Sequence, residues 1–191
     1  VMNQHRGLVY KKRRDILSGI SEEEIIKIIK SQVENIINFH MAEGGEWDRE
    51  EIYQNLKAIF SLSDDDKEFL TVNSDSRKIV DYYQNSAEKL YLQKEKEIGI
   101  ETARQVEKLV MINILDNLWT DHLEDMEYLR DSVRLRAYGQ RDPLVEYKNE
   151  SRRLFKDFLA NFEARVVSVI FKVALPQNFV APKPVAPASF A

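Results

Sequence analysis

The chain has 191 residues, of which 43% are hydrophobic and 31% charged, and its formal net charge at pH 7 is −4. It contains only six glycines and five prolines, and no cysteine. Because β-rich folds need many tight turns and the residues that form them, this composition argues against all-β and doubly wound folds and predicts an all-α protein. The lack of cysteine excludes disulfides, zinc–thiolate sites and thiol nucleophiles within this stretch.

Charge is distributed unevenly along the chain. Residues 1–20 hold five basic side chains and one acidic, whereas residues 21–66 hold four basic and twelve acidic. Nucleic-acid binders usually carry a strong basic excess on one face, so nucleic acid is not favoured as a partner. The run Lys11–Arg14 is interpreted either as a solvated helix face or as a contact with an acidic partner or anionic lipid.

No segment suggests membrane insertion or export. The uncharged apolar runs are far shorter than the roughly 20 residues that span a bilayer, and residues 1–15 contain no apolar signal region. These features predict a cytoplasmic protein. Because the chain opens at Val1 in the middle of an amphipathic pattern, we expect it to be part of a longer one.

Several helices are predicted in the first half. An amphipathic helix covers residues 1–18 and ends at Gly19, because Met2, Val9 and Ile16 recur every seven residues. Helix starts are then marked by polar capping pairs, in which each side chain bonds the exposed backbone N–H of the other residue. These pairs are Ser21 with Glu24, Asp48 with Glu51, and Ser63 with Asp66. Residues 21–97 are therefore predicted to form three to five short helices.

The last third predicts a long antiparallel helical hairpin. Two stretches without Gly or Pro, of 39 and 32 residues, flank the turn Gly139–Pro143. Apolar side chains recur in each stretch at steps of three and four, which is the pattern of two helices that pack against each other. The predicted core of this hairpin includes Leu115, Trp119, Met126, Phe155 and Phe162.

The two ends of the hairpin differ in character. Apolar density falls toward the turn, where arginines gather around Tyr138, so the turn is interpreted as a projecting, charged and aromatic tip. Beyond Leu175 the chain is rich in Pro and Ala and has no periodicity. Residues 175–191 are therefore predicted to be a disordered, extended linker.

No catalytic constellation is present in the sequence. It lacks the P-loop pattern that cradles nucleotide phosphates, and it lacks G-x-S-x-G and H-E-x-x-H. The histidines His5, His40 and His122 fall in different predicted helices. Since His122 lies within an apolar stripe, a hydrogen-bonded structural role is favoured over a ligand or a base. We expect no catalytic residue, cofactor or metal in this chain.

Four segments resemble the scaffold region of the SecA family of preprotein translocase motors. They are Val1–Arg6 (VMNQHR), Asn113–Arg130 (NILDNLWTDHLEDMEYLR), Leu135–Pro143 (LRAYGQRDP) and Glu146–Ser151 (EYKNES). Residues 21–97 are similar only weakly, as expected for the variable helical wing of that family. The resemblance covers the chain up to about residue 174.

The resemblance implies a division into four parts. Residues 1–20 correspond to the end of the long scaffold helix, 21–97 to the helical wing, 98–174 to the two-helix finger, and 175–191 to a flexible linker. The family's nucleotide-binding domains, which bind ATP and Mg, have no counterpart here, and neither does its zinc-binding tail. The resemblance therefore implies a non-catalytic fragment of a protein-translocating ATPase.

The resemblance also implies partners and contact residues. The finger of the family enters the SecY channel of SecYEG, touches the unfolded preprotein and restrains ATP hydrolysis by the nucleotide-binding domains. Anionic lipid at the inner face of the plasma membrane and a second SecA copy are further expected partners. The tip positions that would contact the preprotein and channel are Arg134, Arg136, Tyr138, Gln140, Arg141 and Asp142.

Two alternatives remain open at this point. A helical-hairpin nucleic-acid-binding module would use the basic tip and would show a steep dependence of affinity on salt. A coiled-coil adaptor would use the apolar stripes alone, and the identity of residue 138 would not matter to it.

Overall fold

The structure, a computed structural model, describes residues 1–41, 47–136 and 142–173, with backbone alone for residues 134–136. These ranges hold seven α-helices and no strand, which confirms the all-α prediction. The predicted disordered linker lies outside the described residues. The helices are α1 (Met2–Ser18), α2 (Glu22–His40), α3 (Arg49–Lys57), α4 (Asp64–Val72), α5 (Ser76–Ile98), α6 (Ile100–Arg136) and α7 (Pro143–Lys172).

Side-chain caps begin α2, α3 and α4 at the positions that the sequence indicates. Ser21 and Glu24 form a reciprocal capping box at α2, and Ser63 and Asp66 form another at α4. At α3, Asp48 accepts from the backbone N–H of Glu51 at 3.0 Å. These bonds satisfy N–H groups that the first turn of a helix leaves without a partner, so each helix has a defined start.

The described part of the segment between α1 and α6 holds four helices, within the predicted three to five, but they are not all short. Helix α2 has 19 residues and α5 has 23, and only α3 and α4 are short, at nine each. The long pair packs through facing stripes of buried residues. In α2 these are Ile25, Ile29, Val33 and Ile37, and in α5 they are Ile79, Tyr83, Ala87 and Tyr91.

Helices α6 and α7 form the predicted long antiparallel hairpin. At 1.5 Å per residue they extend about 55 Å and about 45 Å. Their shared core falls into two clusters. The larger is continuous with the core of α2–α5, while the smaller consists of Met126, Leu129 and Val133, near the turn.

The base of the hairpin is tied to the helices that precede it. The Nζ of Lys94 on α5 donates to the backbone carbonyls of Ile170 and Phe171 at 2.8 Å each, at the last turn of α7. The ring of Phe60, just after α3, meets that of Phe171 edge-on, with centroids 4.6 Å apart. The predicted boundaries near residues 20 and 98 coincide with helix ends at Gly19 and Gly99, and the division into domains stays a prediction.

Two glycines allow a test of whether the backbone conformation between α5 and α6 requires glycine. Gly99 has φ 86°, a conformation that L-residues adopt only with strain, whereas Gly7 lies within α1, and a Cβ at either position would meet open space. We expect Gly99→Ala to lower the free energy of unfolding by about 1–2 kcal/mol. The matched change Gly7→Ala should raise it by about 0.5–1 kcal/mol. Urea unfolding of both variants checks this, and equal effects of the same sign would contradict it.

Candidate functional site: the helical hairpin

Helix α1 lies along the hairpin and contacts both of its arms. Arg13 forms a two-pronged ion pair with Asp116 of α6, with N–O distances of 3.0 and 3.1 Å. Lys12 stands over the ring of Phe162 of α7, 4.8 Å from its centroid. The hairpin stem is therefore a three-helix unit, and part of the basic run 11–14 is used inside the molecule.

The predicted core residues of the hairpin differ in how deeply they are placed. Leu115 and Phe162 are fully buried, and Met126 and Phe155 are buried. Trp119 is only partly buried, and its ring meets that of Phe158 edge-on with centroids 6.3 Å apart. The indole thus packs at the margin of the core and leaves part of its surface to solvent.

The structure assigns His122 a partner that the sequence did not indicate. Its Nε2 lies 3.1 Å from Nδ1 of His5, and both rings are buried. The His5 ring stacks on Phe155 at 4.2 Å with an interplanar angle of 12°. The expected hydrogen-bonded structural role of His122 therefore involves α1, while His40 lies elsewhere, 3.3 Å from the amide nitrogen of Asn55.

In the sequence, the predicted contact residues run from the last turn of α6 to the residue before α7. Arg134 and Arg136 belong to the last turn of α6. Tyr138, Gln140 and Arg141 lie outside the described residues. Asp142 is exposed and also caps α7, because its Oδ1 accepts from the N–H of Leu144 at 2.9 Å. The pattern Asp-Pro at a helix start could have revealed this capping role.

Below the turn, the described part of the hairpin combines a small core with exposed apolar side chains. Met126, Leu129 and Val133 pack with Tyr147 and Leu154, with Met2 of α1, and with Val1 just before it. Around them, Leu144 and Val145 at the start of α7 are 57% and 51% exposed. The surface just behind the turn thus offers apolar contact area.

A polar network closes the base of the hairpin. Arg104 of α6 pairs with Glu107 at 2.6 Å and with Glu95 of α5, and both of these carboxylates are buried. The hydroxyl of Tyr91 donates to Glu107 at 2.8 Å. Burial raises the pKa of Glu95, and the charge of Arg104 opposes that rise. One guanidinium therefore supports two buried carboxylates at the junction of α5 and α6.

Within the described ranges, no group of three or more His, Asp or Glu side chains is arranged to hold a metal ion. Over the same residues, none of the helices is at once long enough and apolar enough to cross a membrane.

Comparison with known proteins identifies the hairpin's family. A family profile described as the SecA Wing and Scaffold domain matches residues 1–174. The chain belongs to the SecA wing and scaffold family. It is 34% identical over 181 residues to the protein translocase subunit SecA of Pelotomaculum thermopropionicum, and 31% identical over 177 residues to that of Heliobacterium modesticaldum.

The SecA relatives are much longer than this chain. The two alignments cover 93% and 91% of the chain but only 20% and 21% of the relatives, so the chain spans about a fifth of their length. The SecA of Desulforamulus reducens is similar in the same way, at 34% identity over 93% of the chain and 21% of its own length. The hairpin, α1 and the α2–α5 helices all lie within the matched region.

The Arg104 network provides a test of what holds the hairpin base. We expect Arg104→Gln to lower the free energy of unfolding by on the order of 3 kcal/mol, because it leaves Glu95 and Glu107 buried without a cation. The matched control is Arg13→Gln, which breaks an exposed ion pair and should cost at most about 1 kcal/mol. Chemical unfolding of both variants measures the difference. Equal losses would show that the buried network adds nothing beyond a surface pair.

Proposed function

We propose that this chain is the non-catalytic wing-and-scaffold part of a SecA-type translocase, and that its hairpin carries the contact with preprotein and channel. The observation that supports the proposal is the stem of two long packed helices. In the sequence, Arg134 and Arg136 stand at the end of α6, and Tyr138, Gln140 and Arg141 stand between α6 and α7. Membership in the SecA wing and scaffold family supports it.

The residue types at the turn suit contact with an unfolded chain of any sequence. Such a contact cannot depend on complementarity to particular side chains. An aromatic ring such as that of Tyr138 offers a large rigid surface and one hydroxyl. Arginines such as Arg134 and Arg136 donate to exposed backbone carbonyls and pair with acidic groups of a channel.

The stem supports a second part of the proposal, that the scaffold restrains the ATPase domains of the translocase. Helix α1 and the two arms of the hairpin form a three-helix stem, which makes the hairpin stiff, and the contacts of α1 with both arms join the finger to the scaffold helix. A finger held in this way transmits a displacement at its tip to the helix that leads toward the rest of the protein.

Replacement of Tyr138 tests the tip assignment. In the full-length SecA protein that carries this segment, Tyr138→Ala should slow preprotein transport into SecYEG vesicles by about tenfold or more, as for loss of a central aromatic contact. The matched control is Tyr128→Ala, which removes a 78%-exposed tyrosine from the shaft of α6. Transport should be close to normal in the control.

Folding must be followed alongside transport. Both variants should keep the far-UV circular dichroism and the unfolding midpoint of the parent protein. Normal transport by a folded Tyr138→Ala variant would contradict the tip assignment and favour an adaptor that acts through its apolar stripes. Equal impairment by the two variants would place the contact on the shaft as well as at the turn.

A further inference from the structure

The contact between His5 and His122 joins α1 to the hairpin through two buried imidazole rings. His5 is 5% exposed and His122 is 2% exposed, and their facing nitrogens are 3.1 Å apart. Besides the stack of His5 on Phe155, the His122 ring lies 5.4 Å from that of Phe158 and 5.6 Å from that of Trp119. Aromatic rings thus surround most of the pair and keep water away from it.

The chemistry of imidazole limits how many protons this contact can hold. A neutral ring has one N–H donor and one acceptor nitrogen, whereas a charged ring has two donors. The bond between Nδ1 of His5 and Nε2 of His122 needs one donor and one acceptor. The pair therefore keeps its bond when both rings are neutral or when one is charged, and it loses the bond when both are charged.

Charged groups near the pair come from both arms of the hairpin and from the first residue of the chain. Asp121 and Asp125 of α6 and Asp157 and Arg165 of α7 line a hollow beside His122, and the amino group of Val1, which precedes α1, acts on His5. Burial lowers the pKa of His122, and Asp125 partly offsets this. Burial, His122 and the amino group together lower the pKa of His5 to about 4.

We infer that His5 and His122 form a proton-sensitive latch, which holds α1 in register with the hairpin and weakens as acid favours the open state, in which both rings can be charged. The latch stands on contacts within this chain and is independent of the proposed function. The direction of its pH dependence follows from the difference between the pKa of His5 in the folded and in the unfolded chain. Because the folded pKa of His5 lies below the ordinary value of 6.5, the stabilisation is complete above about pH 6.5 and is lost as the pH falls toward 4.

Amide hydrogen exchange of the chain measures the latch directly. After correction for the intrinsic exchange rates, the opening constant of α1 should rise roughly 30-fold between pH 7.5 and pH 5, if opening returns His5 to its ordinary pKa. The centre of α2, residues 25–37, serves as the internal reference and should change little. Equal changes in α1 and α2 would overturn the latch, because the effect of pH would then be global.

Matched variants separate the contribution of the histidine pair to the pH dependence from that of other titrating groups. His5→Gln should remove most of the pH dependence of α1 opening, whereas His40→Gln, which changes the third histidine, should leave it as it is. An N-terminally acetylated chain should keep the pH dependence, since burial is the largest cause of the shift at His5. Loss of the pH dependence on acetylation alone would assign the effect to the terminal charge and overturn the proposal.

Nitrogen NMR of the imidazole rings in the unmodified chain gives a readout that needs no variant. At pH 7.5 the ring nitrogens of His5 and His122 should show two neutral rings that share one N–H···N bond. At pH 5 the ring of His5 should still be mostly neutral, because its pKa is about 4. Titration of His5 and His122 near pH 6.5 would overturn the proposal.

Discussion

The apolar stripes of α6 and α7 are longer than the surface that the two helices can bury against each other, and the rest of the molecule is arranged around this constraint. Helix α1 covers the groove between the arms with Val9 and Ile16, and the α2–α5 helices join their core to the lower stem. Near the turn only a small cluster around Met126 is left. The hairpin therefore depends on α1 and on the α2–α5 helices for its burial.

The features that local rules govern could be predicted from the sequence. The capping pairs Ser21–Glu24 and Ser63–Asp66 act over three residues, so a short motif specifies them, and both are present. The steps of three and four in the hairpin stripe place Leu115 and Phe162 in the core for the same reason. The length of α5 could not be judged in this way, because its start depends on a cap at Asp75 that has no reciprocal partner.

The contacts between helices could not be predicted, since they join residues that are far apart in the chain. His5 and His122 are 117 positions apart, and Lys94 is 76 from the carbonyl that it binds. No local sequence pattern marks such pairs. Viewed alone, each side chain fits a common role, as a lysine on a helix surface fits contact with solvent. Arg104 is a similar case, because its role follows from the burial of Glu95 and Glu107 around it. The tip residues rest on family resemblance, and Tyr138 stays a prediction.

We propose that this chain restrains the ATPase part of a SecA-type translocase through the stem and its finger. The most direct test is to add the chain to the separately produced nucleotide-binding portion of the same SecA protein and to follow ATP hydrolysis. The account predicts that saturating chain lowers the rate by at least about fivefold, the lower end of typical coupling between sites. Binding of the chain without any change in the rate would contradict it.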